Sequence, residues 1–174
     1  NLTDKGHANR DVLGYGFRCY RGVLEISGMF CNGALAVVFK NVAGEITTLQ
    51  FIDEKGNKRW LKGGRKKGSF CRIGKSTSNT IIVCEGVATG ASIHLATGHA
   101  VHAAGDAGNL EPVAKELRAR FPDAAIVIAG DHDKSGTGQR AAEDAARAVG
   151  GLVAWPAEAD HDWNDLHRAS GLKA

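Results

Sequence analysis

Three acidic residues sit where apolar runs stop. Glu85 follows Thr80-Ile81-Ile82-Val83-Cys84, and Asp131-His132-Asp133 follows residues 124–129 through Gly130. Asp131 and Asp133 are two apart, so in an extended segment both carboxylates point one way and His132 points the other. Carboxylates brought together repel one another unless a cation lies among them. Mg²⁺ suits such a place, because it takes oxygen ligands, keeps several waters and is shared with substrate phosphates. The chemistry open to it is phosphoryl transfer, where bound divalent ions serve attacking and leaving oxygens and no serine or cysteine nucleophile is required. A D-x-D after one strand is commonly a helix-capping loop. Glu85 at the end of a second strand favours the metal reading.

For these acids to meet, the elements before them must lie side by side. Residues 80–174 alternate strand and helix patterns. Apolar runs at 80–84, 101–104, 124–129 and 152–155 read as buried strands, and helical spacing appears around 91–95, from Asn109 as N-cap to Phe121, and over 141–149. This alternation predicts an α/β fold with a mainly parallel sheet flanked by helices, joined by right-handed crossovers, with ligands beyond the carboxyl ends of the strands. Gly86, Gly90, Gly136 and Gly138 allow close backbone approach beside helix N-termini, which favour anions. Residues 34–39, 46–52, 58–62 and 69–73 read instead as short strands separated by turns. The polar stretch 75–79 divides a β-rich unit, 1–79, from an α/β unit, 80–174. Residues 1–33 show little periodicity.

Charge follows the same division. The net charge is +3, but residues 1–79 carry 14 Lys and Arg against 6 Asp and Glu, while 80–174 carry 8 against 13. Between 55 and 75 there are nine basic residues and no acid. Of these, Lys58, Arg59, Lys62, Arg65, Lys66, Lys67 and Arg72 are read as contacts for the phosphates of a single strand, because unneutralised charge this dense disfavours the compact state. Trp60 and Phe70 lie among them, and strand alternation turns Trp60 inward as a packing residue. His94, His99 and His102 lack metal-ligand spacing and read as structural.

Apolar residues are 43% of the chain and charged residues 24%, ordinary globular values. No apolar run reaches the ~20 residues of a membrane helix, so no membrane partner is expected. The four cysteines are widely spaced without a C-x-x-C pair, in keeping with reduced thiols and a cytoplasmic location. The chain begins with Asn1 rather than Met, as a piece of a longer protein would.

Glu85-Gly86 after one strand and Asp131-His132-Asp133-Lys134-Ser135-Gly136 after a later one resemble the Toprim fold of bacterial-type primases, topoisomerases and some nucleases. The stretches 85–94, 106–110 and 162–167 sharpen the resemblance toward primases of plasmids, phages and integrated elements. Residues 34–74 resemble the small basic subdomain that precedes Toprim in primases. The resemblance implies that Glu85 acts as general base or metal ligand and that Asp131 and Asp133 hold Mg²⁺, with Mn²⁺ able to substitute. It adds Asp162 to the metal set, with Asp165 in the same motif. It implies a primase catalytic core that joins ribonucleoside triphosphates on a single-stranded DNA template and works with a replicative helicase, separate or fused. A Toprim nuclease and a non-catalytic nucleic-acid-binding module are the alternatives. A topoisomerase needs a tyrosine on a separate domain, for which Tyr15 and Tyr20 are weak candidates.

Overall fold

The computed structural model describes residues 17–75 and 78–170. The stretch 80–84, nearly all apolar, forms β8 (Thr80–Cys84), the centre of a five-stranded sheet ordered β11-β10-β8-β9-β7. Its neighbours are β9 (Ala100–Ala103) and β10 (Ala125–Ala129), both parallel to it, with β11 (Leu152–Ala154) parallel beyond β10. The fifth strand, β7 (Cys71–Ile73), runs antiparallel on the outer edge of β9. It therefore joins the α/β sheet although it precedes the stretch 75–79, of which Ser76 and Thr77 lie outside the described residues. Cys71 and Ile73 explain the placement, since both are apolar and fully buried on one sheet face, with Arg72 between them exposed.

Among the described residues, four α-helices cover the sheet. On one face, α1 (Val87–Thr97) and α4 (Trp163–Ser170) pack together, with Val87, Ile93 and Trp163 meeting Ile82, Cys84 and Val101. On the other face, α2 (Leu110–Arg120) and α3 (Thr137–Val149) pack together, and Val113, Leu117, Ala142 and Ala146 meet Val83, Ile126 and Ile128. Alternate strand residues thus serve opposite cores, which is why these strands are apolar throughout. The step from β8 to β9 goes to one side, and the step from β9 to β10 returns past β8 to the other. β8 and β10 therefore flank the point where strand order reverses, the usual place for a ligand crevice.

The earlier residues form an antiparallel sheet of β1 (Arg18–Cys19), β4 (Leu35–Lys40), β5 (Ile46–Ile52) and β6 (Lys58–Trp60), plus a hairpin of β2 (Glu25–Ile26) and β3 (Met29–Phe30). Trp60 turns inward as alternation requires, edge-on to Phe39 with ring centroids 4.6 Å apart. It also lies against Gly105, where a Cβ would come within 2.4 Å of the indole. Gly105 has φ +92°, so glycine satisfies both the left-handed backbone and the close approach. That contact seats the small sheet beside the carboxyl end of β9.

Candidate active site

In the β8–β10 ladder Cys84 pairs with Ala129, so Glu85 and Asp131 emerge at the same end of adjacent strands. They line one cavity of about 70 Å³ with Asp162, Lys58, Gly86 and Thr89. A third acid reaches it because the segment before α4 is stitched to the D-x-D loop. The His132 amide donates to the His161 carbonyl, and the Asp160 amide donates to the His132 carbonyl. Trp163 Nε1 donates to the Gly130 carbonyl at 3.1 Å, clamping α4 to the end of β10. The His132 ring turns away and sits 2.9 Å from the Pro156 carbonyl.

The acids differ in their surroundings. Burial pushes the Asp131 carboxyl up to about 7, reinforced by the charges of Glu85 and Asp162 and opposed by Lys58. Its Oδ1 is buried with no hydrogen-bond partner among the described residues. Glu85 is also raised, again by burial first, with Lys58 the main opposing charge. Asp162 accepts from Thr89 Oγ1 at 3.3 Å and from the Asp165 amide at 2.8 Å. Asp165 returns the bond to the Asp162 amide at 3.3 Å, so these two form a reciprocal cap on α4 and the Asp165 carboxylate faces the helix end.

Asp133 does not line this cavity. Its carboxylate accepts the Gly138 amide at 2.6 Å, the Thr137 amide at 3.2 Å and the Ser135 hydroxyl. Those bonds, the Ser135 hydroxyl first, hold its pKa down to about 2. It is near enough that its charge raises both Glu85 and Asp131. The two aspartates are therefore neighbours with divided work: one faces the cavity unpaired, the other secures the N-terminus of α3. Gly138 lets the start of α3 close up against both, since a Cβ there would lie 2.7 Å from Asp133 Oδ2 and 2.8 Å from the Asp131 carbonyl oxygen. Gly138→Ala is expected to cost about 1–3 kcal/mol through this overlap. Thermal melting checks it, and a melt within a degree of wild type would show that the loop yields freely.

Among the described residues no three His, Cys, Asp or Glu side chains form a ready-made metal cage. The donor set nevertheless fits a hard divalent cation of the Mg²⁺ kind, which is typically held by one or two carboxylates together with waters and substrate phosphates. An unpartnered, buried carboxylate oxygen on Asp131 with Glu85 and Asp162 around it offers oxygen ligands alone.

The basic residues separate. Lys58 stands in the acidic cavity, and its ammonium lies 3.9 Å from the position of a Cβ on Gly86. Lys66 pairs with Asp106 at 2.6 Å and lies 5.9 Å from the Trp60 ring centre. Arg59 borders another groove, beside Phe30 and Asn57, and donates to the Lys58 carbonyl. Arg72 lies on the opposite sheet face, paired across the strands with His102. Lys62, Arg65 and Lys67 are exposed. Asn109 does more than start a helix: its side chain makes no cap bond and instead accepts the Gly68 amide and donates to the Lys66, Ser69 and Ala104 carbonyls. This pins the basic loop to the end of β9.

A Toprim domain is matched over residues 80–173. The chain belongs to the Toprim domain family. Two DNA primase TraC proteins of Escherichia coli are 42% and 41% identical to it over 124 residues, each match covering 65% of this chain. The chain spans only 9% and 12% of those proteins. Among solved structures, the primase fragment of the bacteriophage T7 primase-helicase protein aligns with a TM-score of 0.69 at 18% identity, over 97% of this chain and 69% of that one. The Aquifex aeolicus primase aligns at 0.69 and 13% identity, over 99% and 52%. These likenesses show the same fold around the Toprim sheet, including the small antiparallel sheet before it.

Proposed function

We propose that this chain is the catalytic core of a DNA primase, which joins ribonucleoside triphosphates into short RNA on single-stranded DNA. One observation carries the reading. The match to the TraC primases covers more of the chain than residues 80–173, so it extends from the Toprim sheet into the basic β-rich unit. A nuclease shares the acids but has no need of that pairing. Residues 1–79 then form the template unit, apart from β7, which belongs to the sheet of the catalytic unit 80–174; Tyr15 lies outside the described residues and Tyr20 packs edge-on against Phe51.

Glu85, Asp131 and Asp162 are the proposed holders of Mg²⁺, or of Mn²⁺ in its place, with Asp133 beside them at the start of α3. A bound divalent ion would neutralise phosphate charge and lower the pKa of the attacking hydroxyl. Glu85, its pKa raised by burial, is suited to accept the proton of a primer 3′-hydroxyl. Lys58 supplies a fixed positive charge at the cavity wall and keeps the three acids from expelling one another. A replicative helicase, fused or separate, is the proposed partner. No helix among the described residues is long and apolar enough to cross a membrane.

The test is incubation with single-stranded DNA, labelled ribonucleoside triphosphates and Mg²⁺ or Mn²⁺. Short RNA supports the proposal, nicking of a labelled strand supports the nuclease, and binding without turnover supports a non-catalytic module. Template contact is proposed for the exposed cations Lys62, Arg65 and Lys67. Each of these changed to Ala is expected to lower the salt slope of single-strand binding by about 0.7. Lys66→Ala is expected to move it less, because Asp106 already neutralises that ammonium. Slopes measured by fluorescence anisotropy check this, and an unchanged slope in all three variants would make them an ordinary solvated surface.

A further inference from the structure

The third acid of the cavity comes from outside the parallel strands, and something must hold it there. Asp162 immediately precedes α4, a helix of eight residues in which only Trp163 and Leu166 are large and apolar. A helix that short is not stable alone. Its main neighbour is α1. Packing does not fix its position, because a cavity of about 230 Å³ remains between the two helices and the sheet, lined by Ile82, Ile93, Val127, Trp163 and Leu166 among others. Apolar contact is in any case non-directional. The register of α4 has to come from elsewhere.

It comes from polar side chains that α1 and α4 share. Ser92 Oγ donates to Asn164 Oδ1 at 3.2 Å, and the two residues are 2% and 1% exposed. His167 Nδ1 lies 3.0 Å from the same hydroxyl. Nearer the start of α1, Thr89 Oγ1 donates to Asp162 Oδ2 at 3.3 Å. Thr89 and Ser92 are three apart and share one helix face, so α4 runs along α1 with Asp162 at the cavity end. A buried hydroxyl–amide pair is directional, and a mismatch leaves polar groups unpaired. Sliding α4 by one residue would move Asp162 by about 1.5 Å along the helix axis. Mg²⁺ holds its oxygens at about 2.0–2.1 Å in a near-ideal octahedron, so a shift of that size takes the carboxylate out of place.

We propose that Ser92 and Asn164 are positioning residues of the metal site: their buried bond sets the register of α4 and so delivers Asp162 to Glu85 and Asp131. Neither lines the acidic cavity, so both act through the helix and not on the ion. Their role rests on the metal-binding part of the proposed function and is independent of what the site polymerises. It also gives Asn164 work within the run Asp162-Trp163-Asn164-Asp165. There Trp163 ties α4 to the end of β10 and Asp165 caps the helix, while Asn164 fixes it against α1.

The experiment is Mn²⁺ binding by the whole chain, read from the electron paramagnetic resonance of free Mn²⁺ with no substrate present. Ser92→Ala combined with Asn164→Leu replaces both partners by apolar groups, so its melt in EDTA is expected within a few degrees of wild type. Its Mn²⁺ affinity is nevertheless expected to fall about tenfold, as for other residues that orient a ligand. Asp162→Asn is expected to lose at least as much. Added to Asp162→Asn, the same pair should change the Kd less than about twofold, because its effect passes through that carboxylate. Ser92→Ala alone, which removes only an oxygen atom, is the second variant should the pair not fold, with a smaller loss in the same direction. Wild-type affinity in the folded pair, or in Ser92→Ala, would overturn the proposal and leave the metal site standing. So would losses that multiply with that of Asp162→Asn, since the pair would then be general scaffolding. A wild type that binds no Mn²⁺ would remove the metal site itself and the positioning role with it.

Discussion

Glu85→Gln and Asp131→Asn are each expected to lower primer synthesis by about 10²–10³-fold or more, while single-strand binding changes less than twofold. Both side chains line the cavity that also holds Asp162 and Lys58, at the switch point of the sheet. The exposed cations proposed for the template stand on the other unit, so removing an acid leaves them in place. Asp133→Asn should act differently. Its carboxylate is occupied by two backbone amides and the Ser135 hydroxyl, and an amide oxygen can accept from those donors too. Its loss of activity is therefore expected to be smaller than that of Asp131→Asn. Steady-state primer yield and anisotropy on the same preparations check both statements. Equal loss of DNA binding in the Glu85 and Asp131 variants would bring the template into the acidic cavity.

The α/β half was legible because its strands are buried on both faces. Continuous apolar runs at 80–84 and 124–129 become β8 and β10 nearly residue for residue, and the acids follow at once. Helix α4 was missed because Trp163–Ser170 mixes His, Arg and Asp with few apolar residues, and its cap is a pair of aspartates already claimed for metal. Asp133 shows the limit of alternation. The chain stops being extended once Gly136 turns it into α3, and a carboxylate near free helix amides is drawn to them. Lys58 shows the converse. Counted in a run of cations it looks like one more phosphate contact, yet the β5–β6 ladder carries it to the acids. Local pattern names an element well; which neighbours a loop residue meets depends on strand order, which no local window contains.

The two aspartates are expected to move stability with pH in opposite directions. In the absence of metal, Asp131 titrates at about 7 in the folded chain against 3.8 for an ordinary carboxyl. Between those values the folded chain keeps a proton that the unfolded chain has released, so stability from this group is complete below 3.8 and is lost as pH rises through 7. The loss is on the order of 2–4 kcal/mol, or roughly 5–10 °C in Tm for a domain of this size. Asp131→Asn removes it, so the variant should melt above wild type at pH 8 in EDTA and close to it at pH 4. Asp133 works the other way. Its pKa of about 2 gives stability that is present above 3.8 and lost as pH falls through 2, so Asp133→Asn is expected to lower the melt at pH 8. Mg²⁺ joins the two effects. At ten times its Kd it contributes about 1.4 kcal/mol to wild type. That increment should vanish at pH 5, where Asp131 is protonated, and in Asp131→Asn at any pH. Differential scanning calorimetry of the three chains at pH 4, 5 and 8, with EDTA or Mg²⁺, reads all of this. If Asp131→Asn melts below wild type at pH 8 in EDTA, the unpaired carboxylate is not under strain from its neighbours. If the Mg²⁺ increment survives that substitution, the ion rests on Glu85 and Asp162 without it.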